Sequence, residues 1–297
     1  MSEAAVNYHQ HFGLREAPFG ITPDTSFFYA CRSTQEALNT LLVAASNGEG
    51  FIKITGEVGT GKTLLCRKFL ATLDAGWASA YLPNPKLEPR ALILAVAEEL
   101  GARVDPGTDQ HHLMRGITRA LLDHARHGRR VVLCMDESQG IPLDTLETMR
   151  LLTNLETEKR KLLQVVLFGQ PELDRRLASE SIRQLRQRIT FQYALTGLDR
   201  EEIGAYVAHR LAIAGYAGAP LFDAGALRIL HRASRGVPRL VNILAHKSLL
   251  LVYGEGGRSA SRRHVRAAAA DTPAAGAQRS WWWPRLRTAR VAEQEPH

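Results

Sequence analysis

Residues Gly56 to Thr63 have the types and the spacing of a phosphate-binding loop, G-x-x-x-x-G-K-[ST]. Glycines let a backbone turn its N–H groups towards phosphate oxygens without steric clashes. Lys62 would reach the β- and γ-phosphates, and the hydroxyl of Thr63 would ligate Mg²⁺. We therefore expect this loop to bind ATP and Mg²⁺. The residues expected at the nucleotide are Gly56, Glu57, Val58, Gly59, Thr60, Gly61, Lys62 and Thr63.

The segments on either side of this loop are the elements that it requires. Residues 51–55 alternate between apolar and polar and include β-branched side chains, which predicts a strand. Residues 64–73 place Leu65, Phe69 and Leu73 on one stripe, which predicts a helix. The positive end of that helix would point at the phosphates. A chance glycine-rich turn lacks both flanks, so the phosphate loop is the stronger interpretation.

Two acidic residues, Asp136 and Glu137, directly follow the apolar run 131–135. A continuous apolar run is typical of a strand buried on both faces of a parallel sheet, and ligands bind beyond the carboxyl ends of such strands. We expect Asp136 to hold Mg²⁺ through water, and Glu137 to orient and deprotonate the attacking water. The alternative is a surface acidic pair that happens to follow a strand.

Single polar residues occupy two further positions where a nucleotide could be contacted. Gln170 lies at the tip of the predicted buried strand 162–168 and can hydrogen-bond the γ-phosphate or the water, although many strands end in glutamine. Arg239 follows Pro238 at the start of a predicted helix, from which it can reach back to the nucleotide. Taken alone, this second pattern indicates only a helix start.

Three arginines, Arg183, Arg186 and Arg188, precede the last predicted strand. An arginine here can act on the γ-phosphate of a neighbouring subunit and stabilise charge in the transition state, as an arginine finger does. A solvated basic face explains the cluster equally well.

Strands alternate with helices up to residue 195, which predicts an α/β fold with a parallel sheet covered on both faces. The other predicted strands are 78–82 and 189–195, and the other predicted helices of this part are 33–45, 90–100, 111–127, 143–158 and 171–178. Residue Ser33 is expected to cap the first helix in a capping box with Glu36. Beyond 195 only helices are predicted, over 199–214, 223–233, 238–253 and 262–270.

These elements divide the chain into three parts. Residues 1–196 would form the nucleotide-binding domain, in which 7–30 are irregular backbone clamped onto the body. Residues 197–271 would form a small helical lid domain. Residues 272–297 are biased towards Ala, Arg and Trp, and we expect them to be a disordered basic tail.

The composition restricts the compartment and the partners. Cys31, Cys66 and Cys134 match neither a disulfide framework nor a metal site, and no apolar run could span a bilayer, so we expect a cytoplasmic protein. The net charge is +8, of which the residues from Arg258 onward contribute +5. The basic character therefore concerns the partners of the tail more than those of the body.

The tail combines three consecutive tryptophans, Trp281, Trp282 and Trp283, with nearby arginines. Trp prefers the headgroup boundary of a bilayer, and Arg is attracted to anionic lipid. We expect a peripheral contact with an anionic membrane at this segment. A tail that stays free in solution, or that docks on a protein partner, is the alternative.

With these residues assembled, the chain resembles the AAA+ ATPases of the ExeA type (general secretion pathway protein A), and within that group the MSHA pilus biogenesis ATPases. The resemblance covers roughly residues 8–272. Its marks include His-Phe-Gly-Leu at 11–14, Thr-Pro-Asp at 22–24, the phosphate loop, Asp-Glu-Ser-Gln at 136–139, Leu-Leu-Thr-Asn-Leu-Glu-Thr-Glu-Lys at 151–159, Gly-Gln-Pro-Glu-Leu at 169–173, His-Arg-Leu at 209–211 and Gly-Val-Pro-Arg at 236–239.

The resemblance implies a P-loop fold of AAA+ type, with a five-stranded sheet and a helical lid. It also implies roles for three residues: Gln170 as sensor 1, Arg188 as the finger with Arg186 in reserve, and Arg239 as sensor 2. The implied function is ATP hydrolysis by a homo-oligomer that supports assembly of a type IV pilus or a type II secretion apparatus. Its partners would be assembly proteins at the inner membrane, and no nucleic acid is expected.

The sequence departs from the family pattern at two points. Ser138 stands where members often have Ala. Many members continue into a transmembrane helix and a peptidoglycan-binding domain, which this sequence lacks, so we expect no cell-wall binding.

Three other functions are weighed against this one. A DNA-associated AAA+ ATPase of the transposition-regulator or initiator type would have a similar core, but no winged-helix pattern follows the lid. A non-catalytic ATP switch is disfavoured by Glu137, and an NTP-dependent kinase by the helical second domain.

Overall fold

The structure, a computed structural model, describes residues 3–102, 107, 109–157 and 160–276. Within these ranges the strands are β1 (Phe51–Gly56), β2 (Trp77–Leu82), β3 (Arg130–Met135), β4 (Glu156–Thr157), β5 (Arg160–Lys161), β6 (Gln164–Gly169) and β7 (Ile189–Leu195). The helices are α1 (Glu3–Phe12), α2 (Arg32–Asn47), α3 (Lys62–Thr72), α4 (Pro89–Glu99), α5 (Gln110–Arg126), α6 (Leu143–Leu152), α7 (Glu172–Leu177), α8 (Arg183–Arg186), α9 (Glu202–Ile213), α10 (Ala224–Ser234), α11 (Pro238–Gly254), α12 (Arg262–Ala270) and α13 (Pro273–Gly276).

Five strands form one parallel sheet in the order β2–β3–β6–β1–β7. Parallel neighbours need long crossover connections, and the predicted helices supply them. The predicted α/β fold with a five-stranded parallel sheet is therefore confirmed. The short strands β4 and β5 pair antiparallel with each other, separately from this sheet.

Helices cover both faces of the sheet, and strand β3 shows why its sequence is apolar throughout. Leu133 packs in a core with residues of α4, α5 and α6, whereas the adjacent Val132 packs in a second core with residues of α2 and α3. Successive side chains of a strand point to opposite faces, so both sets of positions must be apolar here. The sheet is thereby held between two helical layers, with its strand ends free to form a site.

The helical part after the sheet has its own core. Ile203 of α9, Leu230 of α10, Leu244 of α11 and Val265 of α12 are fully buried in it. This agrees with the predicted helical lid. No helix within the described ranges is long and apolar enough to cross a membrane.

The N-terminal segment packs into the lid core. Tyr8, Phe12, Phe19 and Phe27 are buried in the same cluster as the lid helices. The prediction of irregular backbone is wrong for residues 7–12, because they belong to α1 and their aromatic side chains gain burial on the lid. The domain boundaries themselves stay a prediction.

Two local predictions are also wrong. Helix α2 begins at Arg32 after Cys31, and the hydroxyl of Ser33 accepts a hydrogen bond from the backbone N of Thr196 instead of capping its own helix. Helix α6 ends at Leu152 rather than at residue 158, since the backbone O of Leu155 pairs with the N–H of Leu162 across the β4–β5 hairpin. In both cases a distant backbone group replaces the expected local hydrogen bond.

Candidate functional site

The loop after β1 has the backbone geometry of an anion cradle. Gly59 and Gly61 have φ of 84° and 98°, a region that residues with a side chain rarely adopt. The buried Nζ of Lys62 donates hydrogen bonds to the carbonyl oxygens of Gly56 (2.7 Å) and Glu57 (3.0 Å). Burial lowers the pKa of Lys62, whereas the nearby charges of Glu137 and Asp136 act to raise it. A cation is thus held under the loop.

The carboxylate of Asp136 lies against Thr63, the residue that follows Lys62. The hydroxyl of Thr63 donates to its Oδ2 at 2.5 Å, and the backbone N of Glu137 donates to its Oδ1 at 2.9 Å. Burial raises the pKa of Asp136, while the hydrogen bond from Thr63 opposes this shift. A hydroxyl and a carboxylate at hydrogen-bond distance are oxygen donors of the kind that Mg²⁺ prefers. The two residues therefore fit a magnesium site.

Glu137 and Gln170 meet at the adjoining strand ends. The side-chain Nε2 of Gln170 donates to Oε2 of Glu137 at 3.2 Å. The same Oε2 accepts from Nε2 of Gln139 at 2.5 Å, and Oε1 of Gln139 accepts from the backbone N of Gln170 at 3.0 Å. Glu137 has a φ of 50°, which is uncommon for a residue with a side chain. A predicted base and a predicted sensor are brought together here.

Gln139 is a site residue that the sequence does not predict. It belongs to the Asp-Glu-Ser-Gln motif, but the fourth residue of that motif carries no chemistry by itself. The signal that could identify it is its place two residues after Glu137, where a short turn returns a side chain to the strand end.

The start of helix α11 rests directly on the phosphate loop. The backbone N of Arg239 donates to the carbonyl O of Gly59 at 3.2 Å. A Cβ atom built on Gly59 would lie 2.6 Å from Cβ of Arg239, which is closer than real Cβ atoms approach. Pro238 occupies the first turn of the helix, as predicted. The structure therefore brings Arg239 to the loop from the lid.

The N-terminal segment closes the remaining side of a cleft with a volume of about 190 Å³. Residues 20–24 line it together with the phosphate loop and the start of helix α11. The buried guanidinium of Arg210 donates from Nε to the carbonyl O of Pro18 at 2.5 Å, and Nδ2 of Asn242 donates to the carbonyl O of Gly20 at 3.0 Å. Sequence reasoning missed this wall, because only the tertiary fold places Arg210 beside residues 20–24.

A second cavity of about 260 Å³ lies within the lid. Its lining is mainly apolar and includes Val207, Leu211, Phe222 and Leu227, with no Asp, Glu, Lys, Arg or His. It lacks the charged groups that a nucleotide requires. The candidate site is therefore the cleft at the strand ends.

Comparison with known proteins agrees with this geometry. Residues 45–177 match the family model of an AAA domain. General secretion pathway protein A of Aeromonas hydrophila is 39% identical over 274 residues, which make up 92% of this chain and 50% of that protein. This chain is an AAA-type P-loop protein related to general secretion pathway protein A. It spans half the length of that relative.

Solved structures show the same AAA-type fold. Cdc6p of Pyrobaculum aerophilum has a TM-score of 0.61 and 16% identity, and the comparison covers 84% of this chain and 70% of that chain. The Aeropyrum pernix ORC1 protein, solved in complex with DNA, has a TM-score of 0.58 and 17% identity, with 86% and 69% covered. At such identities the likeness concerns the fold alone. None of these matches singles out the MSHA pilus ATPases.

The predicted fingers of this AAA-type protein lie away from its own phosphate loop. Residue Ile189 at the start of β7 pairs with Phe51 at the start of β1, whereas the loop follows the end of β1. With a rise of about 3.3 Å per residue, the two ends of β1 are about 17 Å apart. Arg188 is half-buried and Arg186 is exposed at that far edge. The predicted membrane contact at Trp281, Trp282 and Trp283 lies outside the described residues.

Proposed function

We propose that this protein binds and hydrolyses ATP with Mg²⁺. The observation that supports the proposal best is the meeting of three strand ends. The loop after β1 supplies Lys62, the end of β3 supplies Asp136 and Glu137, and the end of β6 supplies Gln170. Positive charge, metal ligands and a base then lie around one cleft, which is the set that phosphoryl transfer to water requires.

Each residue has one role in the proposed reaction. Lys62 exchanges its carbonyl partners for phosphate oxygens, which are stronger acceptors because they are charged. Thr63 and Asp136 would hold Mg²⁺, which when bound neutralises charge on the phosphates. Glu137 accepts the proton of the attacking water, and Gln170 orients that water or the γ-phosphate. Arg239 reaches the phosphates from the lid.

The adenine of the nucleotide would lie in the part of the cleft that is lined by apolar side chains. Ile21 and Val58 line this cleft and are 55% and 54% exposed, which is unusual for large apolar side chains. A purine ring between them would cover both apolar surfaces. We propose that the adenine lies there, next to the N-terminal segment that Arg210 and Asn242 hold in place.

Hydrolysis is proposed to require a second copy of the chain. Arg188 cannot reach its own phosphate loop across the sheet, but a neighbouring subunit can receive it as a finger. Arg186 is the reserve candidate, since it is exposed at the same edge. A homo-oligomer in which each subunit completes the next site follows from this arrangement.

The proposed biological role is support for assembly of a type II secretion apparatus or a type IV pilus of MSHA type, at the cytoplasmic side of the inner membrane. The secretion role rests on the similarity to general secretion pathway protein A, and the pilus role rests on the sequence motifs that resemble the MSHA pilus ATPases. The tail with Trp281, Trp282 and Trp283 is proposed to add a peripheral contact with anionic lipid.

A DNA-associated function is the second candidate. It is favoured by the likeness to the ORC1 protein, which was solved in complex with DNA. The charge distribution opposes it, because residues 1–257 carry a net charge of only +3. Binding of duplex DNA by residues 1–275, with an affinity that falls steeply as salt rises, would favour this candidate over the first.

Lys62→Ala tests the proposed nucleotide site. It should weaken ATP binding about 10- to 100-fold, the range for a lost hydrogen bond to a charged group. Lys68→Ala is the matched control, because Lys68 is an exposed lysine on the same helix α3. Titration calorimetry should give unchanged affinity for the control. Equal affinities of the parent and Lys62→Ala would contradict the proposed site.

A further inference from the structure

We propose that Gln139 is a positioning residue that fixes the carboxylate of Glu137 and ties it to the end of strand β6. The inference rests on the proposed hydrolysis of ATP and adds a residue to its machinery. Gln139 uses both ends of its side-chain amide: Nε2 donates to Oε2 of Glu137, and Oε1 accepts from the backbone N of Gln170. A hydrogen bond at each end fixes the plane of this amide.

The hydrogen bonds from the two glutamine amides distinguish the two carboxylate oxygens of Glu137. Oε2 accepts hydrogen bonds from two amide groups, those of Gln139 (2.5 Å) and Gln170 (3.2 Å). Within the described residues, Oε1 accepts from no protein donor. A carboxylate oxygen that is already saturated with donors is a poor proton acceptor, so Oε1 is left to take the proton of the attacking water.

The backbone geometry at Glu137 does not by itself fix the side chain, so the hydrogen bond from Gln139 is needed to orient the carboxylate. Glu137 has left-handed backbone geometry and starts a single short turn over Ser138–Gly140. The hydroxyl of Ser138 holds this turn on the carbonyl O of Met135 at 2.9 Å. The turn fixes the backbone, but the long side chain of Glu137 still has free rotations. The amide of Gln139 removes that freedom.

Gly169, the last residue of β6, lies beside the amide of Gln139. A Cβ atom built on Gly169 would be in ordinary van der Waals contact with Oε1 of Gln139, at 3.4 Å. Gln139 holds Gln170 by its backbone N–H, whereas the side chain of Gln170 bonds Oε2 of Glu137 directly. The hydrogen bond from Gln139 to Glu137 therefore does not depend on the side chain of Gln170. The base therefore keeps its place relative to the strand end.

The test uses variants that separate the two ends of the amide. Gln139→Leu removes both hydrogen bonds. Gln139→Glu keeps an acceptor for the N–H of Gln170 but places a second negative charge against Glu137. Gln35→Leu is the matched control, since Gln35 is an exposed glutamine of helix α2 that takes no part in the hydrogen bonds among Glu137, Gln139 and Gln170. Amide exchange is measured by NMR without nucleotide, and binding and turnover are measured with Mg²⁺ and ATP.

In Gln139→Leu, the amide of Gln170 should exchange about 10-fold faster or more, because it loses its acceptor. Turnover should fall about 10- to 100-fold with the ATP dissociation constant unchanged within about two-fold. In Gln139→Glu, exchange should stay slow while turnover falls at least as far. A merely structural role would not separate exchange from turnover in this way. The control should match the parent in all three measurements.

A double variant provides a further check. Gln139→Leu combined with Gln170→Leu should lose little more activity than the worse single variant, because residues that act as a unit are not additive. Parental exchange or parental turnover in Gln139→Leu would overturn the positioning role alone. A parent chain that hydrolyses no ATP would overturn the proposed function, and the positioning role with it.

Discussion

Gly59→Ala should separate the lid from the phosphate loop. The new Cβ would lie 2.6 Å from Cβ of Arg239 and 3.3 Å from Cγ1 of Val237. The Cβ of Arg239 is fixed by the backbone of α11, so it cannot rotate away as the end of a long side chain can. The hydrogen bond from the N–H of Arg239 to the carbonyl O of Gly59 must lengthen when the two segments move apart.

Two costs add at this position. A residue with a side chain in left-handed geometry costs about 1–2 kcal/mol, and an extra methyl group in a tightly packed contact costs about 1–3 kcal/mol. We therefore expect Gly59→Ala to lower the free energy of unfolding by about 2–5 kcal/mol. Gly48→Ala is the matched control, because Gly48 has a φ of 78° but a Cβ added to it would meet no atom within 4 Å. It should cost about 1–2 kcal/mol.

Urea unfolding of the nucleotide-free protein, followed by circular dichroism at 222 nm, measures both values. Exchange of the Arg239 amide should also be faster in Gly59→Ala and unchanged in Gly48→Ala. Equal losses of stability in the two variants, with parental exchange at Arg239, would refute the inference that α11 rests on the loop.

Three other predictions concern the oligomer, the lid junction and the tail. Arg188→Ala should keep ATP binding and lose turnover by a factor that can reach about 10³. Mixing Arg188→Ala with Lys62→Ala subunits should restore activity. If mixing restores none and the protein stays monomeric at every concentration in ATP, a finger acting between subunits is contradicted. Gly236→Ala should cost more than about 3 kcal/mol of stability, because its Cβ would lie 2.0 Å from the backbone O of Leu198; normal urea unfolding would contradict this contact. Deletion of residues 276–297 should leave turnover in solution intact and abolish sedimentation with anionic liposomes at low salt; equal sedimentation of both chains would contradict the membrane contact.

Strands β3 and β6 could be predicted from the sequence because the runs 131–135 and 162–168 are apolar on both faces, apart from Gln164. These runs predict the two strands, and the structure places them as neighbours in the sheet. The phosphate loop was equally accessible, since glycines and a lysine at that spacing, between a strand and a helix, rarely serve another purpose. Local pattern and tertiary position agree at these places.

The errors occur where a distant group decides the local structure. Leu155 continues the apolar spacing of α6, but its carbonyl pairs with Leu162 across a hairpin. Serine is a common capping residue, but the hydroxyl of Ser33 accepts a hydrogen bond from the backbone N–H of Thr196. The role of Gln139 likewise depends on the end of β6, 31 residues later in the chain. Periodicity and propensity contain no information about such partners.

The proposed hydrolysis of ATP at Glu137 is tested most directly by Glu137→Gln, assayed for ATP binding and for phosphate release in the same preparation. Glutamine has the size of glutamate and cannot accept the proton of the attacking water. We expect an ATP dissociation constant within about two-fold of the parent and a loss of turnover of at least about 100-fold. Hydrolysis by Glu137→Gln at the parental rate would contradict the role of Glu137 as the base.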